Sequence, residues 1–153
     1  MKKKQPPAGS IVNRRARHDY TILETFVVGM VLTGRETKAL RMGRGQLTGT
    51  YVMVKDEELW LLNAQISSSK AIMIPESEVM RTRKLLAKKR EIAQLIDAKQ
   101  KGLALIPLEI KTRSRYIKLV IATAKGKKEY DKRETLKKRD VTRDISQELK
   151  YNS

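Results

Sequence analysis

The chain contains no cysteine and a single histidine, His18. Disulfides and thiolate metal sites are therefore excluded, and no pair of imidazoles is available to hold a metal. The absence of cysteine fits a reducing cytosol, so a cytoplasmic location is expected. Aromatic residues are scarce, with 5 Tyr, 1 Phe and 1 Trp, which limits how much recognition can rest on stacking. No apolar run approaches the roughly 20 residues of a transmembrane helix. The basic start Met1-Lys2-Lys3-Lys4-Gln5-Pro6-Pro7 lacks the apolar stretch of a secretory signal. The acidic residues are dispersed and mostly sit beside Lys or Arg. Neither Gly43-Arg44-Gly45 nor Lys125-Gly126-Lys127 has the spacing of a Walker phosphate loop. With no nucleophile–base pair and no metal set, the expectation is a protein that is not an enzyme and needs no cofactor.

What the chain does have is positive charge. It carries 34 Lys and Arg against 17 Asp and Glu over 153 residues, a net charge of +17. Self-repulsion at that charge works against a compact state, so the excess points to an anionic partner. A nucleic acid and a membrane surface are the two candidates. The membrane is disfavoured because the basic C-terminal helix pattern lacks a wide apolar face.

The length suits one domain with tails. Residues 1–12, rich in Lys and Pro with Gly and Ser, read as a disordered basic arm. Residues 13–124 read as the folded part of the chain, a small barrel with helices. Within it, Tyr20 to Thr33 is β-branched and aromatic and predicts a long strand with a bend or bulge at Gly29. Arg35 to Met42 predicts a short helix closed by Gly43. Leu47 to Val54 and Glu58 to Ile66 predict strands around the turn Lys55-Asp56-Glu57, followed by an irregular loop from Ser67 to Val79. Thr82 to Lys101 predicts a helix, with Leu85, Leu86, Ile92, Ala93, Leu95 and Ile96 as its apolar stripe. Leu103 to Lys111 and Tyr116 to Thr123 predict a hairpin. The fold class is therefore mainly β with accessory helices, an antiparallel barrel of oligonucleotide-binding (OB) type. Residues 125–153 read as a basic tail, disordered alone and helical when bound. Its four apolar positions, Leu136, Val141, Ile145 and Leu149, make too thin a stripe for a stable isolated helix.

Several residues could meet RNA. From Ala124 to Asp140, 8 of 17 residues are Lys or Arg. Gly126 could let main-chain N–H groups approach a phosphate, with Lys125, Lys127 and Lys128 around it. A solvated turn is the plainer account, but the net charge favours phosphate contact. Arg14, Arg15 and Arg17 form a second basic cluster beside His18 and Tyr20, equally compatible with RNA contact and with a basic lead-in to a strand. Glu36 in the first turn of the short helix is sufficiently explained by the helix dipole. Leu85 and Leu86 are both core on pattern alone, although one of two adjacent leucines could support a base. Tyr130 stands among charges and could stack, or lie on an ordinary solvated helix.

The motifs Asn13-Arg14-Arg15-Ala16-Arg17-His18-Asp19-Tyr20, Leu32-Thr33-Gly34-Arg35-Glu36-Thr37-Lys38-Ala39-Leu40-Arg41, Arg83-Lys84-Leu85-Leu86, Lys89-Arg90-Glu91-Ile92 and Ala124-Lys125-Gly126-Lys127-Lys128-Glu129-Tyr130-Asp131-Lys132-Arg133 resemble the SsrA-binding protein (SmpB) family, in the same order. The resemblance implies an OB-type barrel that binds the tRNA-like domain of transfer-messenger RNA. It implies delivery to stalled ribosomes for trans-translation, with elongation factor Tu in the delivery complex. The tail would enter the decoding site and the empty messenger channel of the small subunit. A monomer with no membrane partner is expected. The alternative is a structural ribosomal protein that binds ribosomal RNA.

Carried over residue by residue, the resemblance makes Leu86 and Lys118 RNA-binding positions and Lys38 and Arg41 the basic positions of the short helix. Glu36 matches the family's helix-opening acid and, with Lys38 and Arg41, is counted among the expected RNA-binding residues. Arg17, His18 and Lys125 join the expected RNA surface. Gly126 matches the hinge of the tail, and Lys127, Lys128, Tyr130, Asp131, Lys132 and Arg133 match the start of its ribosome-bound segment. Val27-Val28 stand where the family usually has Glu-Ala, and that Glu is an RNA-binding position, so one contact is expected to be missing. Gln46 replaces an Asn, and Val79 replaces a Pro.

Overall fold

The structure, a computed structural model, describes residues 10–127. The elements run β1 (Ser10–Val12), α1 (Ala16–Asp19), β2 (Tyr20–Met30), α2 (Gly34–Arg41), β3 (Gly45–Gln46), β4 (Tyr51–Lys55), β5 (Glu58–Leu62), β6 (Gln65–Ile66), α3 (Glu76–Val79), β7 (Arg83–Leu86), α4 (Lys89–Gln100), β8 (Ala104–Lys111) and β9 (Lys118–Gly126).

Seven strands form one antiparallel sheet in the order β1-β8-β9-β2-β7-β5-β4, and β3 pairs with β6 separately. The sheet curls so that β4 comes against β8, which gives the barrel. Strand alternation fills its interior: Phe26, Val28, Leu59, Leu61, Leu85 and Ile121 all belong to one buried cluster. α4 contributes Leu95, which is fully enclosed. A smaller cluster lies on the other face of β8 and β9, where Ala16 of α1 packs with Leu108, Val120 and Ala124.

The long strand predicted from Tyr20 is present, and a register shift between Ile22 and Glu24 marks a bulge there rather than at Gly29. The hairpin of β4 and β5 turns through Asp56 and Glu57, with φ of 52° and 62°. Those angles match the right-handed twist of the flanking strands.

Several boundaries differ from the sequence reading. Residues 10–12 are not part of an arm: Ser10, Ile11 and Val12 pair with Lys111, Ile110 and Glu109 of β8. Ile11 also packs on the core, which a local reading of a Pro- and Lys-rich start does not reveal. The helix predicted from Thr82 to Lys101 divides into β7 and α4. Arg83 to Leu86 pairs with both β2 and β5, and this long-range pairing overrides the local helical stripe. The run Leu47 to Val54 is a strand only from Tyr51, because Leu47–Thr50 forms a turn with Gly49 at φ +75°. Glu58 to Ile66 breaks at Asn63, whose φ is 64°. The loop from Ser67 to Val79 includes α3. β9 extends through Lys125 and Gly126, which pair with Thr21 and Tyr20, so the barrel runs past residue 124.

Candidate nucleic-acid interface

Gly29 of β2 pairs with Leu86 on one side and Lys118 on the other. This three-strand row brings together two residues that are 32 positions apart in the chain. Along β7 the side chains alternate, so Leu85 is 2% exposed and Leu86 is 53% exposed. The expectation that both leucines belong to the core is therefore corrected. A side chain at position 29 would crowd this row, since a Cβ there would lie 3.3 Å from the Leu86 Cβ.

The row floors a cleft of about 270 Å³, lined also by Met30, Leu32, Thr37, Arg115, Tyr116 and Ile117. Its lining includes Arg115 and Lys118 but no carboxylate. Among the described residues no carboxylate forms an ion pair with Lys118. Val27, the position of the missing acid, is 53% exposed on β2.

α2 supports one wall. Its first turn is a reciprocal cap: the Glu36 N–H donates to Thr33 Oγ1, and the Thr33 N–H donates to Glu36 Oε1 at 3.0 Å. Glu36 itself is wholly buried. Its carboxylate accepts hydrogen bonds from Arg81 and, at 2.5 Å, from Arg83 Nε. Arg83 is also fully buried, and its remaining N–H groups donate to the carbonyls of Ala64, Glu78, Val79 and Arg81. Burial pushes the Glu36 carboxyl upward, but the hydrogen bonds from Arg81, Thr33 and Arg83 outweigh it and hold the carboxyl below its ordinary value. Burial pulls the Arg83 guanidinium below its ordinary value, against the opposing pull of Glu36. The plain helix-dipole account of Glu36 is thus too small, and direct contact with RNA has no surface to occur on. Its acid ties α2 to β7.

The basic residues of α2 separate. Lys38 is exposed and lines a second cleft with Gly34, Arg35, Ala71, Ile72 and Met73. Arg41 turns to the loop between β8 and β9, where its guanidinium donates to the carbonyls of Thr112, Ser114 and Arg115 at 2.8, 3.1 and 2.9 Å. Arg41 therefore holds the segment that carries Arg115 and Tyr116 into the first cleft.

The remaining predicted residues lie at the other end of β9. Arg17 is exposed on α1, and His18 Nδ1 donates to Asp19 Oδ1 at 2.8 Å. Lys125 is exposed, while Lys127 donates through its N–H to the Asp19 carbonyl and through Nζ to the Arg17 carbonyl, both at 3.0 Å. Gly126 is extended and paired, so the backbone freedom of glycine is not used to cradle an anion. From Lys118 to Gly126 the strand spans roughly 27 Å at 3.4 Å per residue. The predicted residues form two basic regions, not one. Lys128, Tyr130, Asp131, Lys132 and Arg133 lie outside the described residues.

Sequence reasoning missed Arg115, Tyr116, Arg81 and Arg83. For Tyr116 the available signal was an aromatic side chain beside two cations, Arg113 and Arg115, in a turn. For Arg83 there was none, because nothing local marks an arginine as buried. Among the described residues, no group of His, Asp and Glu is placed to hold a metal ion, and no helix is long and apolar enough to cross a membrane.

Comparison with known proteins bears on this arrangement. The family described as SmpB protein matches residues 10–151. An SsrA-binding protein of Streptococcus pyogenes serotype M49 (strain NZ131) is 46% identical over 140 residues, covering 91% of this chain and 90% of its own length. Another, from serotype M4 (strain MGAS10750), is 45% identical over the same span. A solved structure, "tmRNA-SmpB: a journey to the center of the bacterial ribosome", superposes with a TM-score of 0.66 at 42% identity. The match covers 80% of this chain and 87% of that one.

Proposed function

The chain belongs to the SmpB family of SsrA-binding proteins, and from that premise we propose that it binds the tRNA-like domain of transfer-messenger RNA and delivers it to stalled ribosomes for trans-translation. The observation that carries the reading is the Leu86–Gly29–Lys118 row, an apolar and cationic cleft without a carboxylate on a rigid sheet. Cations there neutralise phosphates, while exposed apolar groups accept the faces of unpaired bases. Lys38 of α2 and the Arg17–His18–Lys125 region extend the RNA surface in this reading. Glu36 and Arg41 act from behind it, one fixing α2 and the other fixing the loop.

The segment that follows Lys127 is assigned to the ribosome. Lys127 is anchored on α1, so this segment departs from a fixed point. Gly126 and Lys127, held on β2 and α1, form the root of the tail, and Lys128, Tyr130, Asp131, Lys132 and Arg133 would start the stretch that enters the decoding site and the empty messenger channel. A barrel from residue 10 to about 126, followed by this tail, is the domain division we propose. The protein works as a cytoplasmic monomer without catalysis, and elongation factor Tu joins the delivery complex.

Capture of the full chain from cells, followed by sequencing of the bound RNA, tests the reading. Enrichment of transfer-messenger RNA over ribosomal RNA is the expected result. Ribosomal RNA in stoichiometric amount without transfer-messenger RNA would instead indicate a structural ribosomal protein.

A further inference from the structure

We infer that Tyr116, with Arg115 and Leu86, forms a seat for one unpaired nucleobase beside the phosphate contact of Lys118; the inference rests on the RNA-binding reading above. Tyr116 is 65% exposed, while the next residue, Ile117, is 5% exposed and belongs to the core. Tyr116 lies in the bend just before β9, and it and Lys118 both line the cleft that Leu86 enters from β7. The Arg115 guanidinium stands 5.6 Å from the centroid of the Tyr116 ring, within the reach of a cation–π contact.

The loop that presents the ring is held firmly. Arg41 donates to three of its carbonyls, and the Ser114 hydroxyl donates to the Tyr116 carbonyl at 2.9 Å. These bonds fix the backbone without burying the ring. A platform ordered in advance loses less entropy when a ligand arrives. The occupant follows from the lining. Two cations and no carboxylate favour an anion, while a phenol ring and a leucine favour a flat apolar group. A nucleotide offers both. The cleft, at about 270 Å³, is smaller than the roughly 300–1,000 Å³ of pockets for drug-sized ligands, which suits one base. The base must be unpaired and splayed, because bases within a helix already stack on each other.

The test uses the full chain and the tRNA-like domain of transfer-messenger RNA, titrated at several salt concentrations. Tyr116→Ala should weaken binding roughly 5- to 150-fold, the range for loss of one aromatic–base stack. The slope of log affinity against log salt should stay that of the wild type, because no phosphate contact is removed. Tyr116→Phe should bind within about twofold of the wild type, since the ring carries the contact. Tyr116→Leu, which keeps apolar bulk without the ring, should behave like the Ala variant, and thermal melts of all three should match the wild type. Wild-type affinity in both Tyr116→Ala and Tyr116→Leu would overturn the inference while leaving the RNA reading intact. So would unchanged RNA affinity with lost activity on ribosomes, which would assign the ring to another partner. A wild-type protein with no preference for this RNA over a duplex of equal length would overturn the RNA reading and the inference together.

Discussion

Replacing Glu36 by Gln removes one negative charge from the interior and leaves the side-chain shape in place. Arg83, fully buried, then keeps its carbonyl acceptors on Ala64, Glu78, Val79 and Arg81 but loses its counter-charge. Arg81 is only partly enclosed and can turn to water, so Arg83 carries most of the penalty. Breaking a buried pair from one side costs about 3–5 kcal/mol. Because the amide oxygen can still accept from Thr33 N–H, Glu36→Gln belongs at the lower end, about 3 kcal/mol. Glu36→Ala also forfeits the reciprocal cap and should cost about 1 kcal/mol more. The first change lowers the melting temperature by roughly 10–15 °C, judged by the usual scaling for domains of this size. Urea unfolding at neutral pH measures the energy, and RNA titration below the melting transition measures function. The account requires a large loss of stability with near wild-type affinity in the folded variant. An unchanged urea midpoint together with weakened RNA binding would refute it, since Glu36 would then be acting on the ligand and not on α2.

Acid should unfold the protein partly through the same group. The Glu36 pKa is lowered by folding, so its contribution to stability is complete above its ordinary value of 4.5 and is lost as pH falls through the folded value. Glu36→Gln should flatten that part of the stability–pH curve, and a wild-type slope in the variant would contradict the assignment. Lys118→Glu should weaken binding to the tRNA-like RNA, and Lys118→Ala should reduce the salt slope by about 1, as loss of one phosphate contact does. A variant slope equal to the wild-type slope would remove Lys118 from the phosphate contacts. Truncation after Arg133 should spare RNA binding but abolish peptide tagging on stalled ribosomes; normal tagging would refute the division of labour between barrel and tail.

Much of the fold could be read locally. β2 shows as a β-branched run, and the hairpin of β4 and β5 shows as alternation around Asp56-Glu57. α2 shows by its helical run from Arg35 and its stop at Gly43. The errors occur where distant residues decide. Arg83-Lys84-Leu85-Leu86 continues the apolar stripe of α4, yet pairing with β2 and β5 makes it a strand. Helix begins only beyond Lys88, whose N–H donates to Glu91. β1 is three residues long and has no pattern of its own until β8 lies beside it. At the site, Lys118 and Leu86 came from family resemblance and not from local pattern, and only the register through Gly29 makes them neighbours. The internal roles of Glu36 and Arg41 were illegible because the arginines that hold Glu36 lie 45 and 47 positions away and the carbonyls that Arg41 holds lie 71 or more away.

Competition binding of the full chain at physiological ionic strength tests the central claim most directly, with the tRNA-like domain of transfer-messenger RNA set against a random duplex of equal length. Bulk positive charge would hold both RNAs alike, whereas the Leu86–Lys118 cleft distinguishes a folded RNA with unpaired bases. The account predicts at least about tenfold tighter binding to the tRNA-like domain, a modest part of the usual gap between specific and non-specific binding. Equal affinity for the two RNAs would contradict it.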